Sequence, residues 1–298
     1  MINNSNNKIV VATHNGTFHL DELLAIATIK LLHPEKNIRV VRTRDSEVID
    51  NADWVVDVGG HYDHESRRYD HHQLGSPVRD NGVPFAAFGL VWRHWGSEVC
   101  GGNIEVADAI ESDFVQMVDG PDNGFETAQS LIEGGRVPSL AMLPSLWRSD
   151  LPADASGEMI DEKFNELLKI ITEILQRLID INIARYQSNI QFENQYLAAA
   201  DKSIIFVPKG VWPADPSKYP ETYFIAYQDV ENNTWKAKCV SDESFKCRRS
   251  FPVEWRGLRD AELQQISGIA DAEFVHSAGF LAVAKTQSGL IEMISHAK

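Results

Sequence analysis

The stretch RRYDHHQ, residues 67–73, sets an acid beside two histidines (Asp70, His71, His72) directly after two arginines. Five of the ten histidines fall between His61 and His94, and two more, His14 and His19, lie near the start. Three readings fit: a metal site, an acid–base pair, or a polar loop with no chemistry. Imidazole and carboxylate without thiolate suit Mn²⁺, Fe²⁺, Co²⁺, Mg²⁺ or Zn²⁺. A carboxylate bridging two such ions would make a two-metal clamp for phosphoryl chemistry. The three cysteines, Cys100, Cys239 and Cys247, have no CxxC spacing. They read as inert thiols rather than as zinc ligands or a disulfide scaffold.

A site of this kind needs elements that bring distant residues together. KIVVATH (8–14) is a short β-branched run, a buried strand ending at His14. Residues 19–32 carry apolar side chains at helical spacing, and Pro34 stops them. IRVVRT (38–43) and ADWVVDVGG (52–60) are further strands, and 84–96 and 103–120 are helices, the latter ended by Gly120 and Pro121. Strands alternating with helices predict an α/β domain with a mostly parallel sheet. In such a sheet ligands bind beyond the carboxyl ends of the strands. His14 follows the first strand, His19 and Asp21 open the next helix, and Asp57 closes the third strand. Asp70, His71 and His72 lie in the loop beyond, and Asp119 and Asp122 end a later helix in VDGPDNG.

From 125 to 157 Gly and Pro, Pro138 among them, loosen the pattern. An uninterrupted helical pattern then runs to about 197. After 200 the texture turns to β, with strands at 203–208, 222–228, 235–240 and 279–285 and helices at 260–266 and 288–297. The predicted organisation is a catalytic domain over 1–157, a connecting helix over 158–199, and a smaller α+β domain over 200–298. His33 and His94 read as boundary residues, and His61 and His64 as loop residues.

Composition narrows the function classes. An apolar fraction of 43% supports a real core, while no apolar run approaches the ~20 residues of a membrane helix. The start of the chain, MINNSNNKIVVATHN, has no targeting pattern, and a cytoplasmic protein is expected. The net charge of −15 disfavours duplex nucleic acid held on a basic face. It leaves room for a small anionic substrate, because divalent cations would invert the local sign.

THNGTFHLDE, DVGG, RYDHHQ and VDGPDNG, in that order, resemble the motifs of the DHH phosphoesterase superfamily. The whole pattern is similar to the MYG family (melanocyte proliferating gene homologues), including FPVEWRGLRDAELQQISGI (251–269) and FVHSAGFLAVAKTQSGLIEM (274–293). The resemblance implies His14, His19, Asp21, Asp57, His71 and Asp119 as ligands of two divalent metals, Mn²⁺ first, with Mg, Co, Fe or Zn as alternatives. Asp122 is the reserve for Asp119. His19 stands where the superfamily has an Asp, one residue farther from His14. His72 would face the scissile phosphate and Asp70 would orient a histidine. The implied enzyme is a metal-dependent phosphodiesterase, a 3′–5′ exonuclease on single-stranded RNA or short oligonucleotides, with a homodimer allowed. Its metals would lower the pKa of a water that attacks phosphorus in line.

The second domain lacks the GGGH-like loop of some superfamily members. His276, Lys285, Arg249 and Arg256 are its candidate substrate contacts, and Trp235 and Trp255 are either core or base-stacking platforms. Two other readings remain: a phosphohydrolase of pyrophosphate or a nucleotide phosphate, which needs many cationic side chains at the site, and a metal-binding protein without catalysis. The enzyme reading requires His14, Asp57, His71 and Asp119 to converge.

Overall fold

The computed structural model describes residues 8–135, 137, 139–242 and 246–298. The first seven residues, part of the stretch searched for a targeting pattern, and Pro138 lie outside these.

The apolar run KIVVAT forms β1 (Lys8–Thr13). It leads into α1 (Leu20–Leu32) and returns through β2 (Asn37–Arg42), which lies parallel to β1 in register from Lys8↔Asn37 to Thr13↔Arg42. A short α2 (Ser46–Asp50) is capped by Asp45, which accepts the Glu47 N–H at 2.9 Å. β3 (Trp54–Val56) then pairs parallel with β1 on its other side. Beyond it β4 (Tyr62–Asp63) and β5 (Arg68–Tyr69) form a small hairpin, with β5 parallel to β3. The order β2-β1-β3-β5-β4 makes the expected mostly parallel sheet with one antiparallel edge. The third strand is shorter than its apolar run suggests, because the chain turns sharply after Val56. The stretch expected as a plain loop before Asp70 is strand β5.

Helix α3 (Ala87–Val99) packs against α1. Residues Leu20 to Ile29 of α1 are all buried, Asp21, Glu22 and Thr28 included. Next come α4 (Ile104–Ile110), a π-helical turn (Glu111–Val115) and α5 (Gln116–Asp122). The predicted stop at Gly120–Pro121 falls two residues early. Pro121 lacks an N–H, but the helix closes past it through the Asn123 N–H on the Asp119 carbonyl at 3.2 Å. A short α6 (Leu143–Trp147) precedes α7 (Gly157–Ala198), the predicted long helix.

The chain divides into two compact units between Ile183 and Ala184, within α7. In the first unit α7 buries Phe164, Leu167, Leu168, Ile171, Leu175 and Ile179. Phe164 meets the Phe18 ring edge-on at 5.5 Å, and Phe18 precedes His19 in the chain. Arg42 lies 4.7 Å over Phe164 and donates to Asp161 (2.6 Å) and to the Gly16 carbonyl (2.7 Å).

The second unit is α+β. It comprises β6 (Ile204–Phe206), β7 (Phe224–Asp229), β8 (Thr234–Cys239), α8 (Asp260–Ser267), β9 (Ala272–Val275), β10 (Leu281–Ala284) and α9 (Gln287–Ser295). The sheet order is β6-β7-β8-β10-β9, and only β6–β7 is parallel. Strand β9 was not expected from its mixed pattern. One face packs Phe224, Ala237 and Ala282 against Leu263 of α8 and Leu290 and Met293 of α9. Trp255 is buried in this core and is no base platform.

Because Phe164 is fully buried against the loop that presents His19, Phe164→Ala should destabilise the first unit by ~3–5 kcal/mol. Urea unfolding followed by tryptophan fluorescence measures this, and a loss under about 1 kcal/mol would contradict the packing described.

Candidate metal centre

The centre is built on Asp57. It follows β3 directly with φ of 56°, in the left-handed region, and its N–H bonds the Tyr69 carbonyl at 3.0 Å. Few side chains tolerate that backbone, and Asp is among them. The twist points the carboxylate off the end of the sheet, and Gly59 (φ 97°) and Gly60 (φ 66°) carry the chain away. His14, leaving the parallel neighbour β1, reaches the same place. Its Nδ1 lies 3.1 Å from the Asn15 carbonyl, which can only accept, so Nδ1 carries hydrogen. Its Nε2 is 3.1 Å from Glu22 Oε1 and 3.2 Å from Asp57 Oδ2. Glu22 is fixed by accepting the His19 N–H on both oxygens, at 3.0 and 2.9 Å. This is the helix-start reach-back of a Glu three residues in.

β5 delivers the second group. Asp70 Oδ2 accepts the Gly60 N–H (2.6 Å), and its Oδ1 accepts the His72 N–H (3.1 Å) and lies 2.7 Å from His72 Nδ1. Asp70 therefore orients His72, whose side chain is 62% exposed. His71 turns inward. Its Nε2 is 3.2 Å from Asp57 Oδ1, 3.3 Å from Asp122 Oδ2 and 3.9 Å from Asp21 Oδ2. Its orientation is set by Asn123, whose Nδ2 donates to the Phe85 carbonyl (3.2 Å) and the Asp119 carbonyl (2.9 Å). With the amide nitrogen so committed, Asn123 Oδ1 faces His71 Nδ1 at 3.0 Å and accepts its hydrogen. Both buried histidines thus present Nε2 to the centre.

Burial opposes charge on His14, but its hydrogen bonds to Asp57 and Glu22 outweigh this and raise its pKa to about 10. Burial likewise opposes charge on His71, and Asp122 and Asp57 raise it to about 10. Burial acts to raise Asp57, yet the two histidines bring it down to about 2. Asp21 is pushed well above the carboxylate range, first by burial and then by Asp57 and Asp122. Asp21 Oδ1 and Oδ2, Asp57 Oδ1 and His71 Nε2 are buried without a well-directed hydrogen bond. Close spacing without alignment is what ligand atoms aimed at a common point would show. Among the described residues three groups have donor atoms within 4.8 Å of one another: His14–His19–Glu22–Asp57, Asp57–His71–His72 and His19–Asp21–Asp122. Asp57 belongs to two of them, so the residues fit a pair of divalent cations.

Of the sequence-predicted ligands, His14, His19, Asp21, Asp57 and His71 come together, and Asp119 does not. Asp119 is wholly buried, its Oδ2 takes Arg79 Nη2 at 2.7 Å and its Oδ1 accepts the Gly89 N–H at 3.1 Å. Burial still raises its pKa to about 7, against the pull of Arg79. Gly89 makes this possible, since a Cβ there would lie 1.8 Å from Asp119 Oδ2. Asp122, one turn on, stands at the cluster instead. Glu22 was missed, and its helix-start spacing from His19 was the available signal. Arg148 was also missed. With Phe18, His19, Asp21, Asp122 and Pro144 it lines a recess of about 140 Å³.

The flanking arginines have other work. Arg68 donates to the Ser66, Asp50 and Ala52 carbonyls, and Arg67 lies 5.1 Å over Trp54. His64 and His94 stack on each other at 3.7 Å, bonded to Tyr69 and Tyr62, away from the three groups. In the second unit Arg256 donates to the Phe251 carbonyl and Ser250 Oγ. Arg249 lies 3.9 Å over Tyr223, Lys285 is exposed, and His276 packs on Phe280 at 4.4 Å.

Residues 10–297 match the family model MYG1_exonuc, described as "Uncharacterised protein family (UPF0160)". The chain is 31% identical to the MYG1 exonuclease of Homo sapiens, covering 95% of this chain and 84% of that protein. It is 32% identical to the Mus musculus MYG1 exonuclease (95% and 83%) and 31% identical to the MYG1 protein C694.04c of Schizosaccharomyces pombe (97% and 97%). No helix among the described residues is long and apolar enough to cross a membrane.

Asp122→Asn should weaken Mn²⁺ binding at least ~10-fold with little change in stability, because it removes an anionic donor at the open end of the cluster. Asp119→Asn should do the reverse, removing one charged hydrogen bond from a buried Arg79 that keeps Glu111 at 2.5 Å, at a cost of ~1–3 kcal/mol. Calorimetric Mn²⁺ titration and thermal melts separate the two, and interchanged effects would refute the assignment. Since His14 and His71 hold protons up to about pH 10, an entering cation must displace them. Apparent Mn²⁺ affinity should therefore rise between pH 6 and pH 9 with protons released, as titrations in buffers of different ionisation enthalpy would register. A pH-independent affinity would contradict this electrostatic picture.

Proposed function

The chain belongs to the MYG1_exonuc family, and from that premise we propose that it is a metal-dependent phosphodiesterase, an exonuclease that shortens single-stranded RNA or short oligonucleotides from the 3′ end. The observation that carries the reading is a single carboxylate, Asp57, shared by two histidine-containing donor groups and keeping a buried oxygen without an aligned partner. His14, His19, Glu22 and Asp57 would hold one cation, and Asp57, His71, Asp21 and Asp122 the other, Mn²⁺ being the first expectation. When bound, such cations activate a water for in-line attack and neutralise charge on the phosphoryl oxygens.

The chain's own groups divide the remaining work. Asp70 accepts at His72 Nδ1 and so leaves the exposed Nε2 edge of that ring to meet the phosphate. A donor aimed at developing phosphoryl charge is worth ~10²–10³ in kcat. Arg148 supplies one fixed cation beside His19 and Asp122. A recess of about 140 Å³ with one arginine suits a single phosphodiester. Pyrophosphate carries more charge and calls for several converging cationic side chains. Arg42, Arg68 and Arg79, which could have supplied them, are bound to protein acceptors.

The test is chelator-stripped protein restored with Mn²⁺ and given 5′-labelled RNA, DNA, dinucleotides and pyrophosphate. The expected product is a ladder of RNA shortened from its 3′ end. Asp57→Asn, which Asn's tolerance of left-handed backbone keeps folded, should be inactive, and His72→Ala should lose ~10²–10³ in kcat. Full activity in Asp57→Asn, or preferential cleavage of pyrophosphate, would overturn the proposal.

A further inference from the structure

The sheet of the second unit has one face sealed by α8 and α9, and strand alternation sends a different set of side chains to the other. Register aligns Tyr227, Lys236, Val283 and Phe274 in one row across four strands. A second row holds Ile225, Lys238 and Leu281, with the His276 N–H on the Leu281 carbonyl at 2.9 Å extending it. Ile225 and Tyr227 lie beside the end of α7, packed with Phe192 and its neighbours. Past them Lys236, Lys238, Leu281, Phe274 and His276 stay part-exposed.

This is a mixed aromatic and cationic surface on an otherwise acidic protein. Arg259 lies 4.1 Å over the Phe274 ring and holds a positive charge at the edge of the face. Lys236 is tied to Asp229 at 2.5 Å, whereas Lys238, at the centre, has no acidic partner among the described residues. A face that offers flat rings, aliphatic ground and unneutralised cations is complementary to unstacked bases on a phosphate chain. Duplex is disfavoured because its bases are stacked away from such rings, and an acidic peptide would leave the rings unused.

We propose that this face of β8, β10 and β9 binds single-stranded nucleic acid, with Phe274 as stacking platform and Lys238, Arg259 and His276 as phosphate contacts. The inference rests on the nuclease reading for the identity of its ligand, and it adds a binding surface within the second unit.

The experiment is fluorescence anisotropy of a labelled 12-nucleotide oligouridine on the full chain, in an Asp57→Asn background to prevent cleavage. Lys238→Glu and Phe274→Leu, the latter keeping an apolar side chain while removing the ring, should each weaken binding about 10-fold. Lys238→Gln should also lower the slope of log affinity against log salt by about 0.7. Lys169→Glu, on the exposed side of α7, serves as the surface-charge control. Unchanged affinity in both face variants, or equal competition by duplex of the same length, overturns the surface while leaving 3′ shortening by the wild-type chain intact. Absence of RNA shortening by the wild-type chain instead sinks the nuclease reading and this inference with it.

Discussion

Asp57 is the constraint on which the rest of the first unit depends. One carboxylate lies within 3.2 Å of two imidazole nitrogens that come from different strands. For that to happen β1 and β3 must be parallel neighbours, ending at the same level, and β5 must enter beside β3 to carry His71 in. The left-handed backbone at Asp57 is the local cost, of order 1 kcal/mol, and the surrounding sheet holds it in place. Strain of this kind persists where the neighbours over-determine it, and here the Asp57 N–H is anchored to the strand that presents the DHH triplet.

The second organising fact is how buried acids are compensated. Asp21, Glu22, Asp57 and Asp119 are all buried, and uncompensated burial of ionised carboxylates is prohibitive. Asp119 is compensated by Arg79 and a backbone N–H, a closed solution that leaves nothing for a ligand. Asp21 and Asp57 are left with oxygens that have no directed partner. The same residue type in the same helix-and-sheet layer therefore has two different fates. The difference lies in whether an arginine can reach it.

That distinction explains what the sequence made legible. The apolar runs fixed β1, β2 and the long helix, because burial demands them wherever the chain goes. Order along the chain placed His14 and Asp57 at strand ends and His71 in the loop beyond them, since a parallel sheet collects its carboxyl termini on one edge. The choice between Asp119 and Asp122 was not readable. They are three residues apart on one helical stripe, ~4.5 Å apart along the axis and about 60° around it. Whether a carboxylate at that height meets Arg79 or His71 is decided by Gly89 on another helix, a long-range fact with no local signature. Two-residue strands such as β4 and β5 and the π turn before α5 escape for a related reason. They are imposed by tertiary pairing and carry too few residues to show a period.

The proposed action of an acidic chain on a polyanion is less paradoxical than its net charge suggests. Coulomb interactions between exposed charges fade beyond about 10 Å at moderate salt, so the substrate responds to local patches rather than to the sum. At the candidate metal centre the four buried or half-buried acids that face His14 and His71 would make an attractive site for cations, and through them for phosphate. On the second sheet Lys238 and Arg259, which have no acidic partner among the described residues, would supply the complementary local sign beside Phe274. On the proposed reading the acidic remainder would act as a filter, because long duplex, which must lie along an extended surface, would meet net repulsion that a short flexible strand bound at one local patch would escape.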